Sequence, residues 1–166
     1  MKNNGYSIIE LIVVIGILSI LLAIATFSGH EWLERYRVEG QTKELYADLM
    51  NARVSALQRN RVFFVTLAAN QYTVYEDTSP SPDGNGTLET GAGQDRLVMQ
   101  KAVRYALSSN IDIATTRVAF SATGLASPNN TTIWFTATSN PASDCIVLAT
   151  TRILMGKMNG TVCALQ

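Results

Sequence analysis

The sequence predicts an α+β fold in which one long N-terminal α-helix, transmembrane in its first half, packs on an antiparallel β-sheet head. Three observations support this prediction. A continuous apolar run extends from Ile8 to Phe27, a polar stretch with helically spaced apolar residues follows it, and runs with a period of two begin after Arg61. The 166 residues are enough for one domain and an anchor.

The apolar run contains about 20 residues, which as a helix would cross a hydrocarbon layer of about 30 Å. Its one charged residue is Glu10. A carboxylate in a bilayer segment costs several kcal/mol unless it is paired. Glu10 therefore either lies at the headgroup interface or meets a cation inside a protein assembly.

The five residues before Tyr6 read MKNNG, with one cation at Lys2. An ordinary signal peptide places its small cleavage residue after the apolar stretch, whereas here Gly5 precedes it. Cleavage after Gly5 would leave the apolar helix on the mature protein. It would also create an amine at Tyr6, four residues before Glu10 and on the same helix face.

Beyond Gly29 the chain becomes polar but keeps a helical apolar stripe at Val38, Leu45, Leu49, Ala52 and Ala56, widened by Tyr46, Met50 and Leu57. We expect one helix that continues to about Asn60 and packs this stripe on the head. The charged residues around the stripe indicate a solvated face.

The head is expected to be β-rich. Residues 61–67 and 71–75 predict a hairpin, and 77–95 predict a long exposed loop because they are dense in Ser, Pro, Gly, Asn and Thr. Further strands are predicted over 97–105, 117–121, 132–137, 146–151 and 153–158. The chain thus divides into a leader (1–5), the transmembrane and assembly half of the helix (6–29), its amphipathic half (30–60) and the head (61–166).

The composition argues against several classes of site. Formal net charge is +0, with one His and two Cys, too few for a His/Cys metal cluster or a His-dependent catalytic site. We therefore expect no metal, no cofactor and no enzymatic activity. Asp77, Asp83 and Asp95 match no calcium-loop spacing, and whether the loop binds an ion stays open. Cys145 and Cys163 favour a disulfide if the chain is exported; two unpaired thiols are the alternative.

The segment Gly5-Tyr6-Ser7-Ile8-Ile9-Glu10 and the apolar run after it resemble the class III signal of type IV pilins and type II secretion pseudopilins. The resemblance implies cleavage after Gly5 by a prepilin peptidase and N-methylation of Tyr6, where the family usually has Phe. It also implies that Glu10 neutralises the N-terminal amine of a neighbouring subunit in a filament.

The helix end, residues 49–60, and the segment 118–124 resemble the GspH/FimT family of minor pseudopilins, as does the closing piece from Cys145 to Cys163. This resemblance implies a rare structural subunit of a type IV pilus or type II secretion filament. It would reside in the bacterial inner membrane with its head in the periplasm, and then in the pilus or pseudopilus. Its partners would be other pilins or pseudopilins, the peptidase and the inner-membrane assembly platform.

The alternative function is a pilus-associated DNA receptor or an adhesin. Some members of that family bind DNA through Gly-Arg-x-Arg in the last hairpin, where this chain matches only at Arg152. Arg152 and Lys157 would give few phosphate contacts. Removal of the leader with Lys2 also leaves one more acidic than basic side chain. The sequence thus disfavours a nucleic-acid partner and leaves pilus versus secretion system open.

Overall fold

The computed structural model describes residues 7–113 and 117–165, with the side chains of residues 25–30 excepted. Helix α1 spans Ile8–Arg59, 52 residues. It ends at Asn60, whose N–H bonds to the Ala56 carbonyl and whose left-handed backbone (φ 53°) turns the Arg61 N–H back to the same carbonyl (3.2 Å), a common way to close a helix. The predicted single helix to about Asn60 is confirmed.

The head is built from short antiparallel strands. In chain order they are β1 (Phe63–Ala68), β2 (Gln71–Glu76), β3 (Arg96–Ala102), β4 (Leu107–Ser109), β5 (Val118–Phe120), β6 (Ala126–Ser127), β7 (Thr131–Phe135), β8 (Cys145–Leu148), β9 (Ile153–Asn159) and β10 (Val162–Leu165). They form two five-stranded sheets, ordered β3-β2-β1-β5-β6 and β10-β9-β8-β7-β4. The α+β prediction is confirmed, with two sheets where the sequence suggested one.

The core lies between the C-terminal half of α1 and both sheets. The predicted stripe residues Val38, Leu45, Leu49, Ala52 and Ala56 are all buried. Thr42 is buried in the same stripe because its hydroxyl donates to the Val38 carbonyl (2.9 Å), which satisfies the polar group. Leu57 departs from the prediction, since it is half-exposed and lies against Gly124.

The leader prediction for residues 1–5 lies outside the described residues. So does Tyr6, and so do the side chains at the end of the predicted transmembrane half. Among the described residues, no helix combines the length and hydropathy needed to span a membrane.

The loop between β2 and β3 is more ordered than its composition predicts. Asp77 and Asp95 are buried at its two ends. Asp77 accepts the N–H groups of residues 85 and 86, and Asp95 those of residues 78, 79 and 89, at 2.6–3.1 Å. Burial raises the pKa of the Asp77 carboxyl despite these bonds. The two carboxylates therefore organise the loop's backbone, whereas Asp83 points to solvent.

Candidate functional site

The first part of α1, from Ile8 to Ile24, has described apolar side chains that are not packed against the head. Its large apolar side chains from Ile8 to Ile24 are 49–79% exposed. Ser19, the polar exception in the middle, donates its hydroxyl to the Ile15 carbonyl (2.7 Å). An apolar helix that is bare on all sides must be covered by lipid or by other protein.

Glu10 lies in the first turn of α1 and is exposed. Ser7 caps this end without a side-chain hydrogen bond, so the first amides keep a partial positive charge that favours an acid there. Within the described part of this segment, residues 7–24, Glu10 is the only charged residue. Its predicted partner, the amine of Tyr6 on a neighbouring subunit, stays a prediction because Gly5 and Tyr6 lie outside the described residues.

Two carboxylates of α1 hold the loop between β7 and β8. Glu34 accepts the backbone N–H (3.0 Å) and the hydroxyl of Thr138, and Glu39 accepts the N–H of Ala142 (2.8 Å). These acids remain open to solvent, as the sequence predicts, and they also accept hydrogen bonds from the head. They fix the base of the head to the helix just beyond its apolar half.

Glu34→Gln should remove a pH-dependent part of the head's stability. The Thr138 N–H and hydroxyl hold the pKa of the Glu34 carboxyl below its ordinary value. A depressed pKa in the folded state contributes stability that is present above the unfolded pKa and lost as pH falls through the folded one. Thermal unfolding followed at several pH values should thus show a higher unfolding temperature for wild type than for Glu34→Gln near neutrality, with a difference that begins to shrink as pH falls below the ordinary Glu pKa of about 4.3 and is lost below the lowered pKa of the folded state.

The matched control is Glu31→Gln. Glu31 pairs only with Arg35 on the same helix among the described contacts, and an exposed pair of this kind contributes little. Equal pH profiles for wild type and Glu34→Gln would contradict the assignment.

The predicted disulfide between Cys145 and Cys163 is present, with a Cα–Cα distance of 6.1 Å. It ties β10 to β8 across β9. Arg152 is exposed in the turn before β9, and Lys157 is half-buried within β9. Five residues of extended chain separate them by about 16 Å, so the structure does not bring these two residues together.

A cluster of charged residues at the C-terminal end of α1 was not predicted from the sequence. The Glu76 side chain is only 4% exposed and pairs with Arg59 (2.7 Å), Arg96 and Arg61 (3.8 Å). It joins the helix end to β2 and β3. Since three cations surround one buried carboxylate, the cluster fixes this end of the head.

A second buried network lies midway along α1. Asp48 accepts the Tyr72 hydroxyl (2.5 Å) and pairs with Lys101 (2.7 Å), which also reaches Glu44 (2.8 Å). Burial, followed by the bond to Asp48, raises the pKa of the Tyr72 phenol, and the bond to Asp48 raises that of Lys101. The network holds β2 and β3 on the helix; no local pattern in the sequence signals it.

The comparisons with known proteins agree on one class. Residues 41–151 match the family described as type II transport protein GspH, and residues 1–26 match the prokaryotic N-terminal methylation motif. No curated protein sequence matches closely enough to establish a relationship.

Two solved structures share the fold. The minor pseudopilin EpsH from the type 2 secretion system of Vibrio cholerae is 11% identical, with 73% of this chain and 97% of that chain covered at a TM-score of 0.53. The type IV minor pilin FimU of Pseudomonas aeruginosa strain PAO1 is 14% identical, with 80% and 96% covered at the same TM-score.

Proposed function

The chain belongs to the type II transport protein GspH family and is a minor pilin or pseudopilin subunit, and we propose that it is cleaved after Gly5 and enters its filament through packing of its N-terminal helix. The observation that carries the proposal is the bare apolar half of α1, with Glu10 as its one charge between residues 7 and 24. Assembly with other pilins would cover this surface.

Glu10 would supply the registration between subunits. An unpaired carboxylate and an unpaired amine are each unfavourable in a hydrocarbon environment. Pairing Glu10 of one subunit with the Tyr6 amine of the next removes both penalties at once, and only one axial offset between helices allows it. The pair therefore contributes both affinity and register.

The same proposal includes the steps before assembly. A prepilin peptidase would cut after Gly5 and methylate Tyr6, while the helix over 6–29 anchors the chain in the inner membrane with its head in the periplasm. An inner-membrane platform would then add the subunit to a pilus or pseudopilus. The Cys145–Cys163 disulfide is consistent with a head in the oxidising periplasm.

Processing is tested by intact mass and N-terminal sequencing of the full-length product purified from membranes that contain the peptidase. We expect a chain that begins at methylated Tyr6. Gly5→Val should keep Met1 and Lys2, because a bulky residue occupies the cleavage position. A wild-type chain that still begins at Met1 beside an active peptidase would overturn the proposal.

No structural observation favours the DNA receptor. Arg152 and Lys157 are about 16 Å apart along the chain, and net charge gives no electrostatic attraction to a polyanion. No catalytic role is proposed for the chain.

A further inference from the structure

Two aromatic side chains form an exposed pair on α1 shortly after its apolar half. The rings of Trp32 and Tyr36 stack with centroids 6.1 Å apart and an interplanar angle of 13°. They are 68% and 69% exposed. Two adjacent large rings form a contiguous apolar surface, and leaving it exposed to water is unfavourable. We therefore expect another molecule to cover it.

The pair faces away from the head. Val38 and Thr42 mark the side of α1 that packs on the sheets. At 100° per residue, Trp32 and Tyr36 lie about 120–160° around the helix from Val38. The head therefore does not cover them.

The height of the pair along the helix matches a membrane surface. The apolar run from Ile8 to Phe27 rises about 28 Å, which fits a hydrocarbon layer of about 30 Å bounded by headgroup layers of roughly 5–8 Å. Trp32 lies about 7.5 Å beyond Phe27, and helical side chains tilt toward the N-terminus. Trp32 thus lies at the level of the headgroup layer, whereas Tyr36 begins about 13.5 Å beyond Phe27 and approaches that layer only with its ring, which tilts back toward the N-terminus.

Two cations lie just beyond the rings, with the backbone of Arg37 about 15 Å past Phe27 along the helix. Arg37 and Arg104 are exposed and line a groove of about 600 Å³ between α1 and the head, together with Glu31 and Glu34. Both acids are already engaged, Glu31 by Arg35 and Glu34 by Thr138. Neither Arg37 nor Arg104 has a carboxylate partner among the described residues, so their charge is available to an anion.

We propose that Trp32, Tyr36, Arg37 and Arg104 form a collar that docks the head on the phospholipid headgroup layer before assembly. The rings occupy the interface, where Trp and Tyr combine an apolar body with a polar tip. The guanidinium groups bind lipid phosphate, with their stems extended toward the membrane. The inference rests on the proposed anchoring of the helix and adds a lipid-binding surface to it. A second copy of the chain fits less well, because two unpaired cations at this level suit an anionic layer.

The test uses the full chain with Trp134→Phe, which leaves Trp32 as the only tryptophan. It is reconstituted in vesicles of phosphatidylcholine and phosphatidylglycerol that carry nitroxide labels at the headgroup or at mid-chain. We expect Trp32 emission to shift to shorter wavelength and to be quenched most by the headgroup label. Co-flotation with vesicles is measured on the same samples.

The outcomes separate the inference from the anchoring that it assumes. Chains that float with vesicles but show water-like, unquenched emission would overturn the collar and leave the anchor intact. Failure to float would overturn both. A wavelength shift that grows with the protein-to-lipid ratio, with no quenching by lipid, would identify a second copy as the occupant and overturn the collar.

The arginines are tested separately. The measured quantity is the ratio of Trp32 quenching by the headgroup label in phosphatidylglycerol vesicles to that in phosphatidylcholine vesicles. Arg37→Gln and Arg104→Gln should each lower this ratio by about fivefold. Arg53→Gln is the control, since Arg53 lies about 24 Å farther along the same helix than Arg37 and should leave the ratio unchanged. An equal loss in all three variants, or none in the first two, would overturn the phosphate contact.

Discussion

Glu10→Ala is expected to leave a subunit that is processed and membrane-inserted but enters its filament at least about a hundredfold less often than wild type. The variant removes the carboxylate and leaves the Tyr6 amine of the neighbouring subunit without a counter-charge inside the assembly. Removing one partner of a buried pair costs about 3–5 kcal/mol, and 1.4 kcal/mol corresponds to tenfold. Incorporation is measured by quantifying the subunit in sheared or detergent-extracted filaments against its amount in the membrane.

The control variants separate charge from packing. Glu10→Gln keeps the size of the side chain and loses its charge, so it should behave like Glu10→Ala. Leu11→Ala keeps the charge and removes an apolar contact, and it should reduce incorporation much less. The unfolding temperature of the head should be unchanged in all three, because the described apolar side chains from Ile8 to Ile24 are exposed rather than packed on the head. Normal incorporation of Glu10→Gln would contradict the charge-pairing mechanism.

The long helix could be predicted because its information is local. Val38, Leu45 and Leu49 repeat with the period of an α-helix, and all three are buried. Glu10 and the cysteine pair were likewise visible, since one is a lone charge in an apolar run and the other an even count in a chain with an export-like leader. Features that depend on the spacing of residues along the chain could therefore be predicted from the sequence.

The division of the head into two sheets could not be predicted from the sequence in this way. Strand β5 pairs with β1 through Val118 and Val65, which are far apart in the chain, and strand periodicity gives no partner. The short strands β4, β6 and β10 were missed, since each has only two to four residues and no longer alternating run was recognised around it, as it was around β5 and β8.

The contacts of the charged residues were missed for the same reason. Glu34 and Thr138 are 104 positions apart, so nothing near Glu34 distinguishes it from a solvated acid. Trp32 and Tyr36 are different, since their spacing of four residues on a helix beside an apolar run does predict a shared face. That signal was present in the sequence.

Gly156→Ala is expected to destabilise the head by about 1–3 kcal/mol, and by up to about 6 kcal/mol if the disulfide is also lost, a large effect for one methyl group. Gly156 lies in β9 opposite Cys145 of β8 and Leu165 of β10. A Cβ at this position would stand 2.3 Å from the Ala164 carbonyl oxygen and 2.9 Å from the Cys163 sulfur. The glycine thus makes room for the disulfide that crosses β9.

The methyl group can be accommodated only if β10 moves. Overpacking of this kind costs about 1–3 kcal/mol. If the shift also prevents the Cys145–Cys163 bond, which closes a loop with a sequence separation of 18, about 3 kcal/mol more is at stake. Chemical unfolding gives the free energy, and alkylation of free thiols followed by mass analysis reports whether the disulfide forms.

Gly40→Ala is the matched control because it makes the same substitution at a site where a Cβ meets nothing within 4 Å. In an exposed helix that change should stabilise by about 1 kcal/mol, so the two glycines are expected to give opposite signs. In a Cys145→Ala/Cys163→Ala background β10 can move away more easily, and Gly156→Ala should then cost less than it does in wild type. A Gly156→Ala protein with wild-type stability and an intact disulfide would show that β9 and β10 have more room than this packing allows.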